Sequence, residues 1–371
     1  MSPFKRLFSS KKTKVQKPEI LLEESSPSCP ITAIVEQDDR VAYFYLWGPD
    51  NSDFGVRSCW IRNLQPYSDK DEKYFIKDGN APMMHSQFCK FPEGEPKLEK
   101  EELEIVWLEE GDGAALLYRN EILAIIPTWS GYDGFFGYAT SCNGEGDFAW
   151  ELTNDNELIS RVAESQEYWE SWDQEPVPFQ IQQPVIIDEY EETFGKLDKY
   201  YAIDGEEWPP RGLYLRTGES KTIFATVGLS LLPMPIVEMY VDDRLQSNRI
   251  ELGMMLNSSL SEDEIQGIAN WFSSNAPIPW ANITFLGEGH TIRFPKSDNS
   301  KLTSVILTNQ LEILPKPELG SYRNSDITFL WMVPISEKER DRIINKGSEE
   351  IIKKLNAIGS KIFNLSREEV V

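Results

Sequence analysis

The chain has 371 residues, longer than one hydrophobic core usually grows, so two domains are the default expectation. Its 11 tryptophans and 40% hydrophobic content are too much apolar mass for a disordered chain. The formal charge is −24, and six bases (Lys5, Arg6, Lys11, Lys12, Lys14, Lys17) sit in residues 1–18 with no acid, which leaves 31 bases against 61 acids, a charge of −30, for the rest. A body of that sign repels phosphate backbones, so no nucleic-acid partner is expected. It attracts a basic protein, although solubility alone also calls for charge and the charge does not separate the two readings.

Residues 1–28 read as a basic flexible tail ending in a turn-rich SerSerProSerCysPro stretch. The tail lacks the continuous apolar core of a signal peptide, and no run of about 18 apolar residues occurs elsewhere, so no membrane span and a cytoplasmic location are expected. Phe4, Leu7 and Phe8 among the bases offer an alternative, a contact with an anionic lipid surface. Residues 29–175 read as a β-rich N-terminal domain. Strands are expected at 31–35, 41–47, 55–64, 105–108, 114–117 and 122–126, with a tight turn at Arg119–Asn120 and a glycine-aromatic loop over 129–138. Residues 154–172 have helical spacing. Three prolines in 176–184 mark a linker or extended edge, placed at 176–186.

An acidic helix is expected at 187–201, followed by strands at 221–227, 237–241 and 249–256. The last of these alternates Ile250, Leu252, Met254 and Leu256 with Glu251, Gly253 and Met255. Ser261 and Glu264 form a capping box ahead of Ile265, Ile268, Ala269 and Phe272. Strands follow at 281–286, 302–307 and 327–333. Ser336 and Glu339 cap a second helix that Gly347 interrupts and Ser348 restarts, and 361–371 reads as a C-terminal tail. The class is α+β in two domains, a β-rich N-terminal one and a mixed-sheet one over 187–360.

The residues that carry chemistry are few. The cysteines, Cys29, Cys59, Cys89 and Cys142, are widely spaced with no CxxC, which points to reduced thiols rather than a metal ribbon or redox pair. His85 and Cys89 are four apart and His290 lies in GluGlyHisThrIle, so an alternative reading is a hydrolase using His85/Cys89 or His290 with nearby acids. Ser130 and Ser230 lack a nucleophile elbow, and the 131–137 glycines lack a phosphate-loop pattern. Acid pairs such as Glu109/Glu110 and Glu206/Glu207 read as solvated faces. No catalytic group, cofactor or metal is therefore assigned. Trp47, Trp60, Trp107 and Trp129 read mostly as core, whereas Trp208 before ProPro and Trp280 after Pro279 sit in loops. Together with His290 at a cleft rim they are the candidate partner contacts.

PheAlaThrValGlyLeuSerLeuLeuProMetPro at 224–235, ArgIleGluLeuGlyMetMetLeu at 249–256, GlyHisThrIle at 289–292 and PheLeuTrpMetValProIleSerGluLysGlu at 329–339 occur in this order. Residues 187–359 resemble a Suppressor of fused domain on those stretches. IleValTrpLeuGluGluGlyAspGlyAlaAlaLeuLeu at 105–117 and AlaIleIleProThrTrpSer at 124–130 resemble an N-terminal region of some bacterial members. The resemblance implies a mixed α+β fold and a non-enzymatic protein-binding role. The animal member is a sequestering adaptor that holds an extended peptide of a transcription factor, and bacterial members are proposed immunity proteins against secreted toxins. The partner implied is a basic toxin domain or an extended peptide, taken by strand addition. The animal protein's second domain is missing here, so its peptide cleft and contact residues do not carry over.

Overall fold

The computed structural model describes residues 17–77, 79–257, 260–295 and 300–371. In the first half, short apolar strands, several of them buried along nearly their whole length, form two sheets. The first has the order β1 (Glu19–Ser25), β2 (Thr32–Gln37), β3 (Val41–Trp47) and β4 (Val56–Asn63), all antiparallel. The second, after helix α1 (Asp69–Lys77), runs β5 (Leu103–Trp107), β6 (Ala114–Tyr118), β7 (Glu121–Ile126), β8 (Tyr138–Ala139) and β9 (Trp150–Glu151). Arg119 and Asn120, at φ 55° and 63°, make the two-residue β6–β7 turn whose left-handed backbone matches the strand twist. Along β5, Ile105 and Trp107 enter the main core, while Val106 faces a smaller cluster with Leu158 and Val162 of helix α2 (Leu158–Ser171). That period of two sets α2 on the far face of the second sheet.

The second half is built on one mixed sheet, in the order β10 (Lys199–Ala202), β11 (Gly212–Thr217), β12 (Lys221–Val227), β13 (Arg249–Asn257), β17 (Ser325–Ser336), β15 (Leu302–Thr308) and β14 (Thr291–Arg293), with β16 (Ser321–Tyr322) paired to β17. Its β13–β17 pair is parallel and the others are antiparallel. Ile250, Leu252 and Met254 face one side with α4 (Glu262–Asn275) and α5 (Ile278–Ala281). Phe329, Trp331 and Val333 face the other side with α3 (Pro178–Phe194), α6 (Glu337–Lys346) and α7 (Glu349–Ile358). The first side belongs to the same contiguous apolar cluster as the first-half sheets, and Tyr168 of α2 is part of it. Both capping boxes form: Ser261 with Glu264 opens α4, and Ser336 with Glu339 opens α6.

Several expectations are corrected. Glu19–Ser25, assigned to the tail, is a strand. It buries only Leu21, so its sequence shows little of the usual alternation. The six basic positions lie outside the described residues except Lys17. The proline segment is helical from Pro178, because proline at the first helical turn forfeits an N–H that has no partner there anyway. The Val177 N–H is taken instead by the Gln180 side chain (3.2 Å). The helix ends at Phe194 with Gly195 at φ 97°, so 199–201 is strand and not helix. Val237–Met239 is a single 3₁₀ turn, and 281–286 follows a short helix instead of forming a strand. The C-terminal segment is anchored rather than loose. Buried Arg367 pairs with buried Glu339 at 2.8 Å, and the Val370 N–H donates to the same carboxylate at 2.7 Å.

One buried carboxylate knits β12 to β13. Glu251 accepts from Thr226 Oγ1 (2.5 Å), Ser230 Oγ (2.7 Å) and the N–H groups of Gly228 and Ser230 (both 3.0 Å). Gly228 reaches this position at φ 93°, and a Cβ there would meet the Phe179 ring at 2.6 Å. Burial still pushes the Glu251 carboxyl up to about 7 and that of buried Asp112, in the β5–β6 turn, up to about 6. Both groups titrate near ~4 in the unfolded chain. The folded state therefore holds extra protons in the intervening window. Their stabilising contribution is fully present below pH ~4 and is lost as pH rises through 6 to 7. Denaturant unfolding between pH 5 and 8 should show Glu251 alone costing roughly 2 kcal/mol over that rise, and Glu251→Gln should flatten the slope. An unchanged slope in the variant would contradict this account.

A candidate protein-binding cleft at the junction of the two halves

The turn between β5 and β6, LeuGluGluGlyAspGly at 108–113, projects three acids into the second half. The turn is closed by the Leu108 N–H to Gly113 O (2.9 Å) and braced by Ser26 Oγ to Gly111 O (2.7 Å). Glu109 meets Arg249 at 2.7 Å and Arg323 at 2.9 Å. Glu110 meets Arg244 at 3.0 Å and Arg161 of α2 at 3.4 Å, and Arg161 also pairs with Glu238 at 3.0 Å. Asp112 accepts the Ile236 N–H at 2.7 Å and Thr128 Oγ1 at 2.7 Å. Burial alone would raise the Glu110 carboxyl, but Arg161 and Arg244 beside it hold it below the usual carboxylate range. Arg249 is held on its other side by Ser230 O (3.0 Å) and Leu231 O (2.7 Å). Such a socket orients two bodies more than it adds net stability, because desolvation offsets much of the attraction.

Beside this socket lies a cleft of about 470 Å³ lined by both halves and by α2. Its apolar walls are four indoles: Trp107 of β5, Trp169 and Trp172 of α2, and Trp208 from the loop after β10. Trp208 lies 5.8 Å from Trp169 and 5.2 Å from Trp172, centroid to centroid, and is 41% exposed. The Trp169 N–H is spent on Trp107 O (2.8 Å), and the Trp107 N–H on Glu24 (3.0 Å), which fixes those rings. Four carboxylates rim the cleft: Glu24, Glu104, Glu170 and Asp173. Among the described residues no Lys or Arg lines it, and none of the four is in an ion pair. Burial raises the Glu24 carboxyl, the Trp107 bond opposes this, and nearby Glu104 adds to the rise. The floor is β5, an edge strand. Glu102 O and the Leu108 N–H bond toward the β6 side, so by alternation the main-chain groups of Leu103, Ile105 and Trp107 turn away from β6.

Residues 213–368 match the family model described as Suppressor of fused protein (SUFU). This chain carries a Suppressor of fused domain. The match begins later and runs further than the 187–359 expected, so it takes in Arg367. Two solved structures are similar over about half of this chain. The Sufu–Fu complex crystal structure is 16% identical over 51% of this chain and 92% of that chain, with a TM-score of 0.37. The crystal structure of Drosophila Suppressor of Fused is 13% identical over 52% of this chain, with a TM-score of 0.36. This chain spans about half of that one, 51%. No curated protein matches the chain.

The Suppressor of fused domain supplies Arg244, Arg249 and Arg323 to the socket and holds two of the three expected contacts. Trp208, just ahead of the matched region, is exposed and lines the cleft. Trp280 is core: it is 4% exposed and its N–H is bound to Pro233 O at 2.8 Å, a partner supplied from a distant loop. His290 is half-buried against Phe285, with ring centroids 4.9 Å apart, and is not among the cleft residues. His85 and Cys89 do not combine. The His85 ring caps Gln87 N–H (3.3 Å) and packs on Tyr67, whereas the Cys89 thiol is buried against backbone carbonyls and Asn63, and burial pushes it up to about 12. All four thiols are free. Glu109 and Glu110 are not a solvated face but the centre of the socket, and Trp47, read as core, is 48% exposed at the end of β3. Trp169 and Trp172 were missed as contacts. Their signal was two indoles three residues apart on one helix, interleaved with Glu170 and Asp173.

Burial ranks the socket arginines. Arg249 is 1% exposed and Arg323 26% exposed. Arg249→Ala should destabilise the protein by about 3–5 kcal/mol, because it removes the buried partner of Glu109 and leaves the buried Ser230 and Leu231 carbonyls without their donor. Arg323→Ala should cost about 1 kcal/mol. Urea unfolding of both variants checks the ranking, and equal losses would contradict it.

Proposed function

We propose that this chain is a non-catalytic protein-binding protein that captures a basic partner in the tryptophan cleft. The observation that carries this reading is the cleft itself: four indoles and four carboxylates that, among the described residues, are in no ion pair, at the junction of the halves. Indoles on a rigid frame bury large area at little entropy cost and anchor interfaces. An extended segment of the partner adds main-chain bonds along the outward groups of β5. The −30 charge outside residues 1–18 speeds encounter with a basic surface. An immunity protein neutralising a basic toxin domain and a sequestering adaptor both work this way, since each acts by occupancy and needs no turnover. Family membership of residues 213–368 supports a binding role of this kind.

The test is affinity capture from native lysate by the full chain and by a Glu170→Lys, Asp173→Lys variant. The expected result is a basic protein held by the wild type, eluted by salt and not held by the variant. The same recovered protein should then bind purified wild type in a titration. Equal capture by both proteins, or no specific capture by either, would overturn the proposal.

A further inference from the structure

We infer that the tryptophan cleft is a receptor for an arginine side chain, which is the anchor of the partner's segment. This rests on the binding role proposed above and names what the cleft reads. Three features of the cleft bear on the choice. First, Trp208 meets Trp172 at 79° and Trp169 at 49°, so the indoles do not stack face to face and close on one another. With 41% of Trp208 exposed, ring surface is left for a ligand. Second, the carboxylates on the rim carry no counter-charge among the described residues, whereas Glu109, Glu110 and Asp112 of the neighbouring socket are matched by arginines or backbone N–H groups. The same few residues of chain thus place matched acids in the socket and unmatched acids in the cleft. Third, the Trp107 and Trp169 N–H groups are bound internally, so those two walls offer π faces rather than donors, while the Trp172 N–H and the Gln166 amide are the donors that remain beside the carboxylate acceptors.

An aromatic cleft rimmed by four carboxylates fits a group that is cationic, all-donor and flat. Guanidinium meets each condition. It is always charged, has five N–H donors and no acceptor, sheds water more readily than an ammonium, and lies flat on an indole while its edge forks to a carboxylate. Lysine's compact, strongly hydrated ammonium satisfies the charge but not the shape. The neighbouring socket shows this chain using the same chemistry, with the Arg249 guanidinium 5.0 Å from the Tyr322 ring centroid while it pairs with Glu109.

The experiment titrates full-length protein with the blocked peptide acetyl-Gly-Gly-Arg-Gly-Gly-amide and follows tryptophan fluorescence. Parallel arms use citrulline, a neutral isostere, and lysine at the same position. Saturable quenching is expected with the arginine peptide, at least tenfold weaker binding with lysine, and none with citrulline. Glu170→Gln with Asp173→Asn, both exposed at the end of α2, should leave the fold intact by circular dichroism and weaken the arginine peptide at least tenfold. Trp208→Leu should do the same. No binding of the arginine peptide, or equal binding of the citrulline peptide, would overturn the inference. If the captured partner is lost with Trp208→Leu but retained by the Gln/Asn variant, the binding face stands and the arginine reading falls.

Discussion

The acidic β5–β6 turn seated among arginines is the contact on which the arrangement of this molecule depends. Three carboxylates from the first half enter a site to which Arg244, Arg249, Arg323 and the Ile236 N–H converge from the second. Apolar burial joins the halves with no strong preference for one orientation, since it follows area alone. The ion pairs do have a preference. The acids and arginines are interlocked in shared pairs, and a slip of a few ångströms would leave several buried charges unmatched at once. The cost shows in the site: Arg249 Nε has no partner.

The cleft inherits its shape from that contact. Trp107 ends the strand that leads into the acidic turn, and Arg161 ties α2 to Glu110 two turns of helix before Trp169 and Trp172. Arg323 reaches the Glu164 carbonyl at 2.7 Å from its hairpin between β16 and β17, and so steadies the same helix. Three of the four indoles are therefore placed by residues that also belong to the socket or adjoin it, and Trp208 closes on them from the other side. The ligand-facing wall and the structural joint share a helix and a strand, so a change in one is felt in the other.

Much of the fold was legible in local sequence. The Ser261–Glu264 and Ser336–Glu339 boxes work within a single turn of chain, the Arg119–Asn120 turn is fixed by its two residues, and the β13 alternation follows from the pleat. The order of motifs that suggested a Suppressor of fused domain is matched over 213–368. What failed depended on distant partners. Glu109 and Glu110 look like surface acids because their arginines lie 134 to 214 residues away in the second half. Trp208 and Trp280 read alike as proline-flanked loop tryptophans, and only the position of Pro233 decides that the second is buried. The helix was expected only from 187, and its first turns over 178–186 were hidden because Pro184 breaks the pattern that would have revealed them.

The 214 residues between Glu109 and Arg323 also have a meaning in time. A ribosome adding about 5–20 residues per second delivers the arginine on the order of ten to forty seconds after the glutamate. Until Arg244 and Arg249 emerge, 134 and 140 residues after their acids, the β5–β6 turn stays hydrated and the edge of β5 has no second half beside it. The joint that sets the geometry of the whole is thus completed late in synthesis, and the nascent first half waits for it with its most acidic turn exposed.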